Sequence, residues 1–475
     1  MRSFSEFHIE ADDATRAQAE HARVSSAATW SYLLLRPGME FVRQRSNFIL
    51  GWQAAAAAGE SLTGGVSAGA VGTAGRPPLG SWMILPDLTT PATQTVLPSN
   101  DALYGAAQVE LDRCGPTVLS VPANIDERYY SVTVMDAHMN KVAHIGPRWT
   151  GNGAGDFALV PPGWDGPLPD GLPAIACPTV SVVVFNRMLV QYTDGDIDRV
   201  RSWQAGLRIT ALADWPDRDA IPPEVDVADL VHPDINTMTS ARDYLRIGQD
   251  HLARNPVVAE ASWLAALASD NGLTAGHGPE FDAALEAGVD DATAMIDVSL
   301  ATWPRANGWR LPDPALGLPN PHVLRSAAFQ QYQIGSNDID EAAYYFADQD
   351  ATGAPLDAGD GREYGLTFAA GDLPPVHPDG YWSVTMYDRE GHLVANSLDR
   401  YATRATRPGT VLNEDGGLTL TFSAHQPAGV PLANWLPAPA GPFQLGIRLY
   451  YPLAGSVRAG WVPPPVLLAS QGRTR

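Results

Sequence analysis

The sequence predicts a multidomain, mainly β protein in which two related β-sandwich domains flank a helical middle unit. Three observations lead there. Short alternating apolar runs separated by Gly, Pro, Asn and Asp fill two regions, as multi-stranded sandwiches require. A segment with helical spacing lies between them. The two β regions also share a phrase: YYSVTVMDAHMNKVAHIGPR, Tyr129 to Arg148, aligns without gaps on YWSVTMYDREGHLVANSLDR, Tyr381 to Arg400. With 475 residues, 45% of them hydrophobic, the chain can bury the cores of two or three domains.

From about Asp12 to Gln53, helix formers carry spaced apolar residues such as Trp30, Leu33, Leu34, Phe41 and Ile49, which predicts helices leading into the fold. The Ala-, Gly- and Ser-rich stretch from Ala54 to Pro78 can bury little and is expected as a flexible loop. Between about Gly80 and Ala213, the runs TVLSVP, YYSVTVMD, DFALVPP and TVSVVVFNRMLVQY read as strands. From Val225 to Ala301, SARDYLRIGQDHLARNP, EASWLAALASDNG and DDATAMIDVSLATW have helical spacing, with stops at Asn255-Pro256 and Gly272. Strand texture returns from about Gly335 to Leu467. The expected units are a helical lead-in and loop (1–79), an N-terminal β-sandwich (80–215), a helical middle unit and connection (216–334) and a C-terminal β domain (335–475).

The shared phrase pairs Tyr129 with Tyr381, Ser131 with Ser383, Thr133 with Thr385, Asp136 with Asp388 and Arg148 with Arg400. Alternation, a polar break and a second apolar run describe a hairpin. The likeness extends outward: DALY ending at Tyr104 resembles EAAY ending at Tyr344, and Arg187 in VVVFNRMLV resembles Arg448 in LGIRLYYP. Several cues in the same order make the two β regions related domains.

A formal net charge of −22 argues against a nucleic-acid or anionic-membrane partner. Lys141 is the single lysine, so the positive charge is almost all arginine. Two cysteines, Cys114 and Cys177, cannot build a disulfide scaffold. The first residues lack the pattern of a secretory signal, and no apolar run reaches the length of a membrane span, so a soluble cytoplasmic protein is expected.

SNDALYGAAQVELD, the Tyr129 phrase and VVVFNRMLV resemble the first half of a widespread, mainly bacterial family; the Tyr381 phrase, NWLPAPAGPFQLGIRLYYP and WVPPPV resemble its second half. The halves are known as domains of unknown function twelve fifty-four and twelve fourteen. The resemblance covers roughly Gly80 to Val466. It implies an immunoglobulin-like β-sandwich, a helical middle and a C-terminal jelly-roll β-sandwich, and it supplies no catalytic residues. Many members carry a secretion or lipoprotein signal and a shorter lead-in, from which this chain departs.

Candidate chemistry must therefore be argued residue by residue. A glycosidase needs two carboxylates facing one cleft. Asp136 and Asp388 are equivalent in the repeat and are better explained by their turns, where the side chain bonds nearby backbone N–H groups. Asp101, after Asn100 in a polar break before Tyr104, and Glu341 remain as the catalytic candidates, with Asn100 and Tyr104 as substrate-binding candidates. Tyr130, Trp382 and Trp435 are candidate platforms for a flat ligand, Trp435 with Asn434 in a Pro-rich loop. Arg325 is a candidate clamp for an acidic group, whereas Arg400 and Arg448, which recur, read as loop anchors. His138 and His144 are weak metal candidates needing a third ligand. DQDATG, Asp348 to Gly353, lacks the distal Glu of a calcium loop and reads as a hairpin turn. Ser67 in GVSAG sits in the Gly/Ala tract, without the strand and helix of a nucleophile elbow.

The functional expectation is a soluble enzyme acting on a saccharide or other small molecule in a cleft between the two β-domains, with the helical unit as a wall or lid. Hydrolysis by acid/base carboxylates is its concrete form, and no cofactor is expected. Two rivals stand beside it: a non-catalytic module that binds a glycan or a partner protein, and a metal-assisted enzyme acting on an apolar metabolite.

Overall fold

The structure, a computed structural model, describes residues 12–58, 71–72, 76–93, 95–222, 224–257, 262–263, 265–266, 272–315 and 322–469. The alternating runs form strands where predicted. In the first half these are β1 (Val71–Gly72), β2 (Trp82–Ile84), β3 (Ala102–Glu110), β4 (Thr117–Val121), β5 (Tyr130–Asp136), β6 (Lys141–Ile145), β7 (Gly155–Val160), β8 (Ala174–Ala176), β9 (Ser181–Leu189) and β10 (Arg208–Ala211). In the second they are β11 (Arg305–Ala306), β12 (Trp309–Arg310), β13 (Ala342–Ala347), β14 (Tyr364–Phe368), β15 (Val376–Tyr387), β16 (Ala402–Thr403), β17 (Leu418–Ser423), β18 (Trp435–Pro437), β19 (Gln444–Pro452) and β20 (Val466–Leu468).

The chain is multidomain and mostly β. The first half holds a six-stranded sheet, β1-β2-β3-β9-β5-β6, and a four-stranded sheet, β10-β4-β7-β8. The second holds β11-β12-β13-β19-β15-β16 and β18-β17-β14-β20. Read in the same sense, every strand of the second half takes the place of the strand numbered ten earlier. Even the parallel pairs correspond: β7 with β8, and β17 with β18. In each half, side chains of both sheets fill one core, Val132, Val184 and Leu119 in the first, Val384, Ile447 and Leu420 in the second. The strands β11 and β12 lie in residues assigned by sequence to the middle unit, because Trp309 and Arg310 pair with β13 and Trp309 is fully buried.

Four helices form a third layer: α1 (Asp13–Ala58), and, after α2 (Asp196–Gln204) in the first half, α3 (Ala241–Arg254), α4 (Pro279–Ala301) and α5 (Val323–Tyr332). α1 extends beyond the expected limit at Gln53, since the alanine run after it has high helix propensity. The rest of the Gly/Ala tract, with Ser67, lies outside the described residues. Lead-in and middle unit are separate in sequence but share one apolar core, including Leu33, Leu35, Leu245, Leu285, Ile296 and Ala327. Helix α3 ends where predicted: Asn255 follows it, and the Asn255 side chain accepts from Ser181 N–H at 3.0 Å, tying the helix to β9. Close helix approach depends on Gly288, where an added Cβ would lie 2.3 Å from the Ser25 carbonyl oxygen on α1. The layer covers the outer face of the first six-stranded sheet, with Phe41 against Met135 and Val183 and Arg45 donating to buried Glu110 at 2.8 Å.

The corresponding face of the second six-stranded sheet meets the first half along a seam of tyrosines. Tyr129 and Tyr381, the residues that open the shared phrase, meet edge to face at 5.6 Å, and Tyr450 stacks on Tyr381 at 4.6 Å. Both recurrent aspartates hold turns: Asp136 Oδ1 accepts from His138 and Asn140 N–H, and Asp388 Oδ1 from His392 N–H at 2.8 Å. Asp350 holds the DQDATG turn by accepting from Thr352 and Ala354 N–H. Among the described residues no helix is long and apolar enough to cross a membrane.

Candidate functional site

Where the two halves meet, a cavity of about 370 Å³ opens beside the tyrosine seam. Its polar wall comes from two matching rows of residues. In the first half, Tyr104 on β3 stands opposite Arg187 on β9, which stands opposite Ser131 on β5. In the second, Tyr344 on β13 stands opposite Arg448 on β19, which stands opposite Ser383 on β15. Tyr104, Arg187, Tyr344, Arg448 and Tyr450 all line the cavity. The remaining wall mixes apolar side chains, Met83, Leu85, Val96, Phe185, Ile334 and Phe346, with the polar Gln44, Thr89, Thr95, Ser99, Gln333 and Ser336, and a third arginine, Arg43, that is already paired with Glu40 at 2.6 Å.

Both guanidinium groups are buried, Arg187 at 6% and Arg448 at 3% exposure, and among the described residues neither has a carboxylate within ion-pair distance. Arg187 donates to Asn337 Oδ1 at 3.2 Å and to the Gly335 carbonyl; Arg448 donates to Thr385 Oγ1 at 3.3 Å and to the Leu97 carbonyl at 2.6 Å. Each arginine is thus held by a carbonyl in the loop leading into the opposite half, and both loop residues sit in the left-handed region, Leu97 at φ 50 and Gly335 at φ 66. Tyr104 and Tyr450 act electrostatically on both arginines. Burial pushes the Tyr450 hydroxyl well above its ordinary range, so at neutral pH it is a hydrogen-bond donor. Nearby, burial and the charge of Arg187 lower the Lys141 amine to about 7.

Of the catalytic, substrate-binding and metal candidates expected from sequence, Tyr104 lines the cavity and the others lie elsewhere. Asp101 is buried and ion-pairs with Arg404 at 3.3 Å, while Asn100 donates to the Thr89 carbonyl at 2.6 Å. Glu341 is buried and accepts from the Tyr129 hydroxyl at 2.6 Å and Trp149 Nε1 at 2.7 Å. Tyr130 packs on Trp203 in the first core and Trp382 on Phe368 in the second, so both are core rings rather than platforms. The Pro-rich loop expected at Trp435 is strand β18 instead; the ring is buried with Nε1 donating to Ser423, and Asn434 bonds the backbone of Val411 and Thr419. Arg325 is an exposed side chain paired with Asp313 at 2.7 Å. His138 Nε2 lies 2.7 Å from the Asn255 carbonyl, whereas His144 lies between Thr133 and Asp338, with Nε2 2.5 Å from Asp338 Oδ2. Among the described residues no group of three metal ligands forms.

Arg400 anchors loops as expected, through the carbonyls of Leu432 and Trp435. Arg448 does so as well, through Leu97, but it also faces the cavity, which the anchoring role alone does not foresee. The signal that finds the site was present as the Tyr104/Tyr344 and Arg187/Arg448 matches.

Two β halves of one topology, a helical layer on the first, and an arginine-lined cavity at their seam define the class. The chain belongs to the family built from these halves: residues 80–211 match the protein of unknown function DUF1254, and residues 341–454 match the protein of unknown function DUF1214. Among solved structures, the VPA0106 protein from Vibrio parahaemolyticus is similar in fold, at 18% identity and TM-score 0.65, over 94% of this chain and 99% of that one. An uncharacterized protein from Burkholderia cenocepacia aligns at 13% identity and TM-score 0.44, over 97% of this chain and 90% of that one. A comparison with curated proteins found no match.

Proposed function

We propose that the protein is a soluble cytoplasmic enzyme that binds a small organic anion in the cavity between its β halves and acts on it there. One observation carries this: among the described residues two buried guanidinium groups, Arg187 and Arg448, face a common cavity without a carboxylate partner, while the third arginine there, Arg43, is paired with Glu40, in a chain whose net charge is −22. Burying an unpaired charge costs several kcal/mol or more, and in so acidic a protein a partner carboxylate was readily available. Leaving the pair unmatched makes sense if a ligand supplies the negative charge. Arginine is suited to this, because its planar fork takes a carboxylate through two parallel hydrogen bonds.

The apolar wall would hold the body of the ligand, and the Tyr450 hydroxyl would donate to it. An acidic saccharide falls within this class. Asp101 and Glu341, the carboxylates expected to perform hydrolysis, are held by Arg404 and by Tyr129 and Trp149, so the acid/base version draws no support from them. The free thiols of Cys114 and Cys177 accord with a cytoplasmic setting. Each half is read as a two-sheet sandwich; the common strand order favours one sandwich type for both over separate immunoglobulin-like and jelly-roll types.

Calorimetric titration with small carboxylic acids and their neutral amides tests the proposal. An acid should bind while its amide does not, and raising the salt concentration should change this buried contact little. Equal binding of acid and amide would overturn the reading.

A further inference from the structure

Two of the arginines that line the cavity are set alike. On one side the Arg187 guanidinium lies 5.7 Å from the centre of the Phe185 ring, on the other Arg448 lies 5.5 Å from Phe346. The rings come from different strand positions. Phe185 stands opposite Ala106, while Phe346, at the place of Ala106, stands opposite Gly446. The two halves therefore use a large and a small residue in exchanged order and still put one phenyl ring behind each arginine. Tyr129 and Tyr381, equivalent in the two halves, meet at the seam beside the cavity.

Each guanidinium has five N–H donors. Among the described residues Arg187 bonds Asn337 and Gly335, and Arg448 bonds Thr385, Leu97 and Tyr387, so each guanidinium keeps N–H donors for a ligand. Each is also held by a carbonyl of the loop leading into the opposite half, Gly335 for Arg187 and Leu97 for Arg448. Two equal cations, restrained separately, require two negative charges; one carboxylate would neutralise one end and leave the other buried and unmatched. Met83, Leu85, Val96 and Ile334 give whatever joins the two carboxylates an apolar surface, beside the hydroxyls of Thr89, Thr95 and Ser99.

Resting on the reading that the cavity takes an organic anion, we infer that its ligand is a dicarboxylic acid with an apolar spacer, one carboxylate to Arg187 and the other to Arg448. A cavity of about 370 Å³ is near the lower end of the range for small-molecule sites, which favours a short aliphatic or aromatic spacer.

Calorimetry with a series of α,ω-dicarboxylates of increasing length, their monomethyl esters and inorganic phosphate tests this on the full chain. One length should bind best, and its monoester should bind at least about tenfold more weakly, the equivalent of about 1.4 kcal/mol. Arg187→Gln and Arg448→Gln should each lower the diacid to the affinity of the monoester. Relief of an unmatched buried charge and loss of the loop hydrogen bond oppose each other in these variants, so affinity is the readout; should one fail to fold, Arg187→Lys or Arg448→Lys, which keeps the charge but not the fork, should retain a reduced preference for the diacid. If monoester or phosphate binds as tightly as every diacid and the arginine variants abolish that binding, the two-ended ligand is wrong and the anion cavity stands. If no anion binds and the arginine variants change nothing, both fall.

Discussion

The two halves share their strand order and the residues that face the cavity, yet they hold on to each other by different means. From the first half, Asp101 reaches Arg404 at the edge of the second, an ion pair in which both side chains are almost fully buried. From the segment before the second half, Asp338 reaches His144 on the edge strand β6 of the first. The aspartates sit in like contexts, Ser99-Asn100-Asp101 and Ser336-Asn337-Asp338, but one partner is an arginine and the other a histidine. The halves thus differ in what latches them and agree in what lines the space between them. What a duplicated domain keeps in both copies can be a site made at the axis relating them, while what it changes can be the fastening.

The comparison can be broken first at its stronger latch. Asp101→Ala would leave Arg404 buried with no opposing charge, and a loss of about 3 kcal/mol in urea unfolding is expected. Unchanged stability would return Asp101 to the catalytic candidates. The second latch should yield to acid. Burial works to raise the Asp338 pKa, but the hydrogen bond and charge of His144, with the N–H groups of Asp340 and Glu341, outweigh it and hold the carboxyl at about 2. With the folded pKa below the ordinary value of 3.8, its contribution is complete above about pH 4 and lost as pH falls toward 2. Asp338→Asn should flatten that part of the stability profile, measured by denaturant midpoints across the acid range, while the response of Asp101→Ala keeps it. The smallest effect is expected at Arg325→Ala, because this arginine is exposed and its buried partner Asp313 keeps the hydrogen bond from Ala315 N–H; a loss of about 1 kcal/mol is expected. Near-wild-type melting behaviour in this variant would confirm that the seam, and not charge pairing in general, carries the stability.

Much of the fold is legible because its signals are local. The period-two runs mark β4, β5, β7 and β9, and Asn255-Pro256 marks the end of α3. The helical layer is not legible, since no local pattern says that α1 and α3 to α5, far apart in sequence, bury one another. The site is legible only in part. Tyr104 stands out by its polar surroundings, and Arg448 and Arg187 stand out as a repeated pair, but a repeat carries no sign of whether its copies face each other. Trp435 and Tyr130 show the converse limit: a ring beside prolines or at a strand end may be core, and only the partner sheets decide.

Lys141 gives the seam a built-in reporter. It is the chain's one lysine, 8% exposed, with its ammonium 5.5 Å from the centre of the Phe329 ring on α5. Apart from the chain's own α-amino group, an amine-reactive reagent has no other target in the folded protein. Label incorporated at Lys141 therefore times the lifting of α5 from the sheet, residue by residue resolution being supplied by the composition itself.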